Sequence, residues 1–193
     1  MAKKVYIIHG WSGNPEEGWF PWIKEELEKN GFAVFVPQLP DADVPRINKW
    51  VPALSKVVGV PDSETYFVGH SMGCQTIVRY LESLPENVKI GGAVFVAGFF
   101  RPITNLEREP DAIDVDREWN KTPIDFAKVK KHINKSVAIF STNDKYVSLD
   151  NAEDYKDKLG SEIIILENRD HFSGSSGITK FPEALLALLK LSN

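Results

Sequence analysis

Six short apolar runs, at residues 4–8, 33–37, 65–69, 93–97, 136–141 and 162–166, are separated by longer stretches, and this alternation limits the fold more than any other feature. The clearest of the intervening stretches are 19–29, 46–58, 73–83, 151–159 and 181–191. Each repeats its apolar residues at three and four positions, as a helix with one buried face requires. Strand, helix, strand in succession predicts a parallel sheet, and right-handed crossovers put helices on both of its faces. With 193 residues and no internal repeat, the chain is expected to form a single α/β domain over residues 1–193.

The third run passes directly into Gly69-His70-Ser71-Met72-Gly73, which is G-x-S-x-G between a strand and a helix. A serine on so sharp a turn is pushed out of the sheet with its hydroxyl exposed, and the flanking glycines allow a backbone approach that side chains would obstruct. In a sheet of this kind functional groups gather beyond the carboxyl ends of the strands, where Ser71 lies.

A serine hydroxyl is a weak nucleophile and needs a base, and the base needs a third group to orient it. Of the four histidines, His171 follows the last strand and falls at the same rim. His9 and His70 sit beside glycines and are expected to shape their turns, and His132 follows Lys130 and Lys131 in a charged, solvated segment. For the acid, Asp144 lies just past the end of the fifth strand, while Asp150 precedes a helix and suits a capping role better. The alternative for Asp144 is an ordinary turn aspartate.

An acyl-transfer site also needs donors for the oxyanion. The amide of Met72, at the start of the helix after Ser71, is one, and the amide of Trp11, in the loop after the first strand, is the other. Trp11, Trp19 and Trp22 cluster after that strand, and Phe99 and Phe100 follow the fourth; these rings are divided between core and an apolar acyl pocket. Residues 99–122, rich in Asp and Glu, break the rhythm and read as a solvated excursion or a small flap over the crevice. Cys74 reads as a small packed residue.

Several classes are excluded. Net charge is −4 without a Lys/Arg cluster, so nucleic acid is not an expected partner. No segment approaches the about 18 apolar residues of a membrane span, and one cysteine with no signal sequence makes the cytoplasm the expected compartment. There is no phosphate-binding or dinucleotide fingerprint and no metal-ligand motif, so neither cofactor nor metal is expected.

The assembled motifs resemble the small serine hydrolase family of retinoblastoma-binding protein 9, a minimal branch of the α/β-hydrolases. The resemblance spans nearly the whole chain, through Val5-Tyr6-Ile7-Ile8-His9-Gly10, Gly18-Trp19-Phe20-Pro21-Trp22, Val68 to Gly73, Ser141-Thr142-Asn143-Asp144 and Asp170-His171-Phe172. The order Ser71, Asp144, His171 is that of α/β-hydrolases. The resemblance implies a six-stranded, mostly parallel sheet with little or no cap domain, and hydrolysis of a small-molecule ester or related acyl substrate. Amidase or aminopeptidase action is the nearest alternative, and a non-catalytic binding module on the same fold is another. The chain has no Leu-x-Cys-x-Glu segment, so binding to retinoblastoma-type proteins is not implied.

Overall fold

The structure is a computed structural model that describes residues 3–106 and 110–193. Strands β1 (Lys4–Ile8), β2 (Ala33–Phe35), β3 (Thr65–His70), β4 (Gly92–Val96), β5 (Ser136–Ser141) and β6 (Glu162–Leu166) form one sheet in the order β2-β1-β3-β4-β5-β6. Every pairing is parallel. The six apolar runs therefore coincide with the six strands. Only β2 is shorter than its run, because Pro37 has no N–H with which to extend the ladder.

The connecting helices are α1 (Phe20–Lys29), α2 (Ile47–Val58), α3 (Met72–Glu82), α4 (Pro110–Lys121), α5 (Phe126–His132), α6 (Asp150–Leu159) and α7 (Pro182–Leu191). They divide the core into two layers. On one side of the sheet Leu54, Ile77, Leu81, Val129 and Tyr155 of α2, α3, α5 and α6 pack on Phe67, Phe95 and Phe140. On the other, Ile23 and Leu27 of α1 and Leu188 of α7 pack on Ile7, Val68, Val94 and Ile139. Strand residues alternate between these layers, which is why each run is apolar throughout rather than at every second position. Among the described residues no helix is long and apolar enough to cross a membrane.

The stretch 99–122, expected as an excursion or a small flap, includes a helix that the sequence did not suggest. Glu107 and Glu109 lie outside the described residues, but Pro110–Lys121 is a helix whose Val115 and Trp119 are buried in the α2–α3 layer. Charged groups fix both sides of it: Glu118 takes the backbone N–H of Ile47 at 2.9 Å and an Arg46 N–H at 3.0 Å, supplying the cap that Arg46 itself cannot provide to α2. From α3, the buried Arg79 donates to the carbonyls of Trp119 and Thr122, each at 2.8 Å. Of the acidic residues that gave this segment a solvated character, Asp111 and Asp114 are exposed, Glu118 is one of these anchors, and Asp116 accepts the Ile103 N–H at 3.0 Å.

His132 also differs from its expected solvated position. It is fully buried at the end of α5, where its Nδ1 lies 2.9 Å from the Val88 carbonyl. The lysines before it point outward while the helix turns the imidazole inward. Asp150 is the first residue of α6 and caps nothing; Leu149 is the N-cap, and the Asp150 carboxylate is 3.5 Å from Arg101.

Candidate active site

β3 ends in His70, and the next residue, Ser71, adopts φ 53°, ψ −120° before α3 begins at Met72. A serine in this conformation is strained, and the strain is held by tight surroundings. The Ser71 N–H donates to the Val96 carbonyl at 2.8 Å, tying the turn to β4. A Cβ on Gly73 would meet the carbonyl oxygens of Ile8 and His9 at 2.3 and 2.6 Å, and one on Gly69 would meet the Cys74 backbone at 2.9 Å. Both glycines are therefore required by close approach, since neither has positive φ.

The parallel order places β5 and then β6 beyond β4, so the chain leaving β6 must return over β5 and β4 to reach Ser71. It does so within a few residues, three of which, Asn168, Asp170 and Phe172, have φ of 55°, 46° and 53°. None is glycine. At the tip of this path His171 Nε2 lies 2.9 Å from Ser71 Oγ, and its Nδ1 lies 2.8 Å from Asp144 Oδ2. The Asp144 side chain is 2% exposed and the His171 side chain 15%. The other carboxylate oxygen, Oδ1, accepts the backbone N–H groups of Tyr146 and Val147 at 2.9 and 3.1 Å. Asp144 is thus a turn aspartate and a histidine partner at once, with one oxygen for each task.

Since a carboxylate can only accept, Nδ1 of His171 carries the proton, leaving Nε2 as acceptor for the Ser71 hydroxyl. That arrangement can take a proton from Ser71 and hold the resulting positive charge against Asp144.

Trp11 and Met72 both follow residues that pack at the elbow. Gly10 is packed so closely that a Cβ on it would lie 3.0 Å from Ser71 Cβ, and Met72 follows Ser71 directly. Among the described residues neither amide N–H has a protein acceptor. The Trp11 indole N–H is turned away, donating to the Asp43 carbonyl at 2.9 Å. His9 has a structural part beneath: its Nε2 accepts the Leu39 N–H at 2.9 Å, so its Nδ1–H donates to Gly10, and burial lowers its pKa.

The aromatic residues separate. Trp19 and Phe99 are buried in the core with 1% and 0% exposure and offer no open pocket wall. Trp11, Trp22 and Phe100 are partly buried at the margins of the two layers, Phe100 stacked on Tyr155 with centroids 4.5 Å apart. A ring that no sequence motif singles out, Tyr146, is 44% exposed and meets the His171 imidazole edge-on at 5.3 Å. Cys74 is fully buried, and loss of solvent raises its pKa strongly, so its thiol is no competing nucleophile.

Sequence reading also missed the supports of the returning loop. Arg169 N–H donates to Ser141 Oγ at 2.9 Å, and Asn143 both accepts the Asp170 N–H and donates to the Asp170 carboxylate, each at 2.8 Å. From the other side His70 Nε2 lies 2.7 Å from the His171 carbonyl, and the Trp19 indole N–H donates to the Phe172 carbonyl at 2.9 Å. The only sequence signal was proximity to the motifs, because each partner is distant along the chain.

The fold and site have known counterparts. The sequence profile described as Serine hydrolase matches residues 5–190. YdeN of Bacillus subtilis (strain 168) is 29% identical over 182 residues, spanning 94% of this chain and 92% of the relative. Serine hydrolase RBBP9 of Rattus norvegicus is 23% identical over 175 residues, spanning 89% of this chain and 88% of the relative. The crystal structure of the ydeN gene product from B. subtilis superposes with a TM-score of 0.89 at 27% identity over 98% of both chains. With a six-stranded parallel α/β architecture and a profile that covers the sheet from β1 to α7, the chain belongs to the serine hydrolase family.

Proposed function

We propose that the protein hydrolyses a small ester or related acyl substrate through an acyl-enzyme on Ser71, with His171 as base and Asp144 as the orienting acid. The observation that carries this reading is the unbroken relay from Ser71 Oγ through both ring nitrogens of His171 to Asp144 Oδ2, at 2.9 and 2.8 Å. In the first half-reaction His171 Nε2 takes the Ser71 proton while Oγ bonds to the substrate carbonyl carbon. The carbonyl oxygen becomes an oxyanion that the Trp11 and Met72 amides stabilise; a donor of this kind contributes roughly 3 to 4 kcal/mol. Collapse expels the alcohol, which leaves with the proton from His171. Water then attacks the acyl-enzyme, giving its proton to His171, and Ser71 recovers it as the acid departs. The donor groups are already free and the relay already formed, which supports a site organised before substrate arrives.

The reading takes residues 1–193 as one catalytic domain, with both core layers flanking the same sheet. Of the exposed or partly buried rings, Tyr146 lies against His171, and with Trp11, Trp22 and Phe100 it is a candidate to meet an acyl or alcohol group. Treatment of the folded protein with a fluorophosphonate, followed by peptide mapping, tests the nucleophile: an adduct on Ser71 is expected, and its absence refutes the assignment. A p-nitrophenyl ester series compared with aminoacyl amides tests the substrate class, and faster turnover of amides would replace the esterase reading.

A further inference from the structure

The loop that carries His171 is bent through left-handed residues at 168, 170 and 172, conformations that side-chain-bearing residues rarely adopt unless held. The direction in which the imidazole leaves this loop depends on the carbonyls of residues 171 and 172. Those two carbonyls are each met by a buried ring N–H, from His70 at 2.7 Å and from Trp19 at 2.9 Å. The two donors brace each other: the Trp19 and His70 rings meet edge-on at 6.2 Å, with Phe20 against His70 at the same distance. We propose that His70 is a positioning residue, whose Nε2–H, seconded by the Trp19 indole, holds the His171 backbone so that the imidazole spans Ser71 and Asp144. This rests on the hydrolase reading above and assigns a task to the residue between Gly69 and Ser71 that the elbow itself does not need.

The chemistry suits the task. A carbonyl accepts and never donates, so His70 must be protonated on Nε2 to make its bond. Burial, reinforced by the His171 imidazole 5.0 Å away, pushes the His70 pKa down to about 3, so the ring stays neutral wherever the enzyme works. A cation there would oppose the imidazolium that His171 must become. The donor is fixed, while the charge is absent.

The test compares His70→Leu, which removes the donor, with His70→Gln, whose amide N–H can occupy the place of Nε2–H, and with Trp19→Phe, which keeps a ring and loses the donor to Phe172. Each variant is first shown to be folded by circular dichroism. The rate of fluorophosphonate labelling at Ser71 and kcat for p-nitrophenyl acetate should fall by as much as about 10²-fold in the Leu variant, with KM little changed, since misplacing a reacting group by about 1 Å has that effect. The Gln variant should recover most of the rate, and Trp19→Phe should fall in the same direction as Leu. A second readout does not depend on turnover: the downfield proton signal of His171 Nδ1–H, sharp in the wild type and in the Gln variant, should broaden or vanish in the Leu variant. Equal rates for Leu and Gln, or a folded Leu variant with the wild-type rate and proton signal, would overturn the proposal. A wild type that shows the proton signal but never labels would refute the hydrolase reading, and the signal in the variants would still decide the role of His70.

Discussion

Replacing Gly73 by Ala should damage activity more than stability, because the added methyl acts on the gap between the two amides proposed as oxyanion donors. Its Cβ would lie 2.3 Å from the Ile8 carbonyl oxygen and 2.6 Å from that of His9. Ordinary contact begins near 3.4 Å, so the start of α3 and the end of β1 must separate by about 1 Å, and neither obstacle is a side chain that can rotate away. Overpacking of this kind costs about 1–3 kcal/mol. For a chain of this length that is a fall in melting temperature of about 2–4 °C per kcal/mol. The same displacement carries the Met72 amide, on α3, away from the Trp11 amide, just beyond β1. A shift of about 1 Å in such a pair can lower turnover by up to about 10²-fold. The assay is kcat for a p-nitrophenyl ester, measured well below the melting transition, beside a thermal melt of the same sample. Val129→Ala, a truncation in the α5 layer far from the rim, provides a stability-matched control that should retain its rate. A Gly73→Ala protein that melts lower yet turns over like the wild type would show that the donor gap is not set by this contact.

Other outcomes follow from the same geometry. Asp144→Asn should lower kcat by as much as about 10⁴-fold by presenting the wrong partner to His171 Nδ1, and unchanged esterase activity would remove Asp144 from the relay. Burial lowers the pKa values of His9 and His70, the latter to about 3, so both bind protons more readily in the unfolded chain than in the folded one. Their contribution to stability is complete above about pH 6.5 and falls as pH drops below it, for His70 down toward pH 3 at up to about 1.4 kcal/mol per pH unit. Urea midpoints from pH 8 to pH 5 should therefore decline, and His70→Gln should flatten the decline; an identical slope would contradict the assignment. Cys74 should resist iodoacetamide in the native protein and react only on unfolding, as mass spectrometry would show.

What the sequence made legible was local. Strands covered on both faces announce themselves as unbroken apolar runs, and α1, α2, α3, α6 and α7 each carry enough apolar residues at helical spacing to be found. The helix α4 escaped because, among its described side chains, Val115 and Trp119 alone are buried in the core, and prolines and carboxylates around them suggested a loop. His132 escaped for the same reason: its lysine neighbours report the outer face of α5, and the inner face is one residue on. Around the site, motif spacing pointed to residues whose side chains do meet. Their supports stayed hidden, because a bond from His70 to a carbonyl 101 positions later, or from Trp19 to one 153 later, leaves no trace in any local pattern.

The arrangement of strands has a consequence for how the molecule would acquire the reactivity proposed for Ser71. Ser71 stands at the end of β3 and its histidine beyond β6, so the two are 100 residues apart in the chain and three strand spacings apart in the sheet, about 14 Å at the usual spacing. No fragment that lacks β4, β5 or β6 can bring them together. Such long-range pairings form late because loop closure must precede the contacts that reward it. A chain still emerging from the ribosome, or one stalled with its last strand unpaired, would hold a serine with no base. Covalent labelling of Ser71 would then report completion of the whole sheet, which makes this hydroxyl a chemical clock for folding.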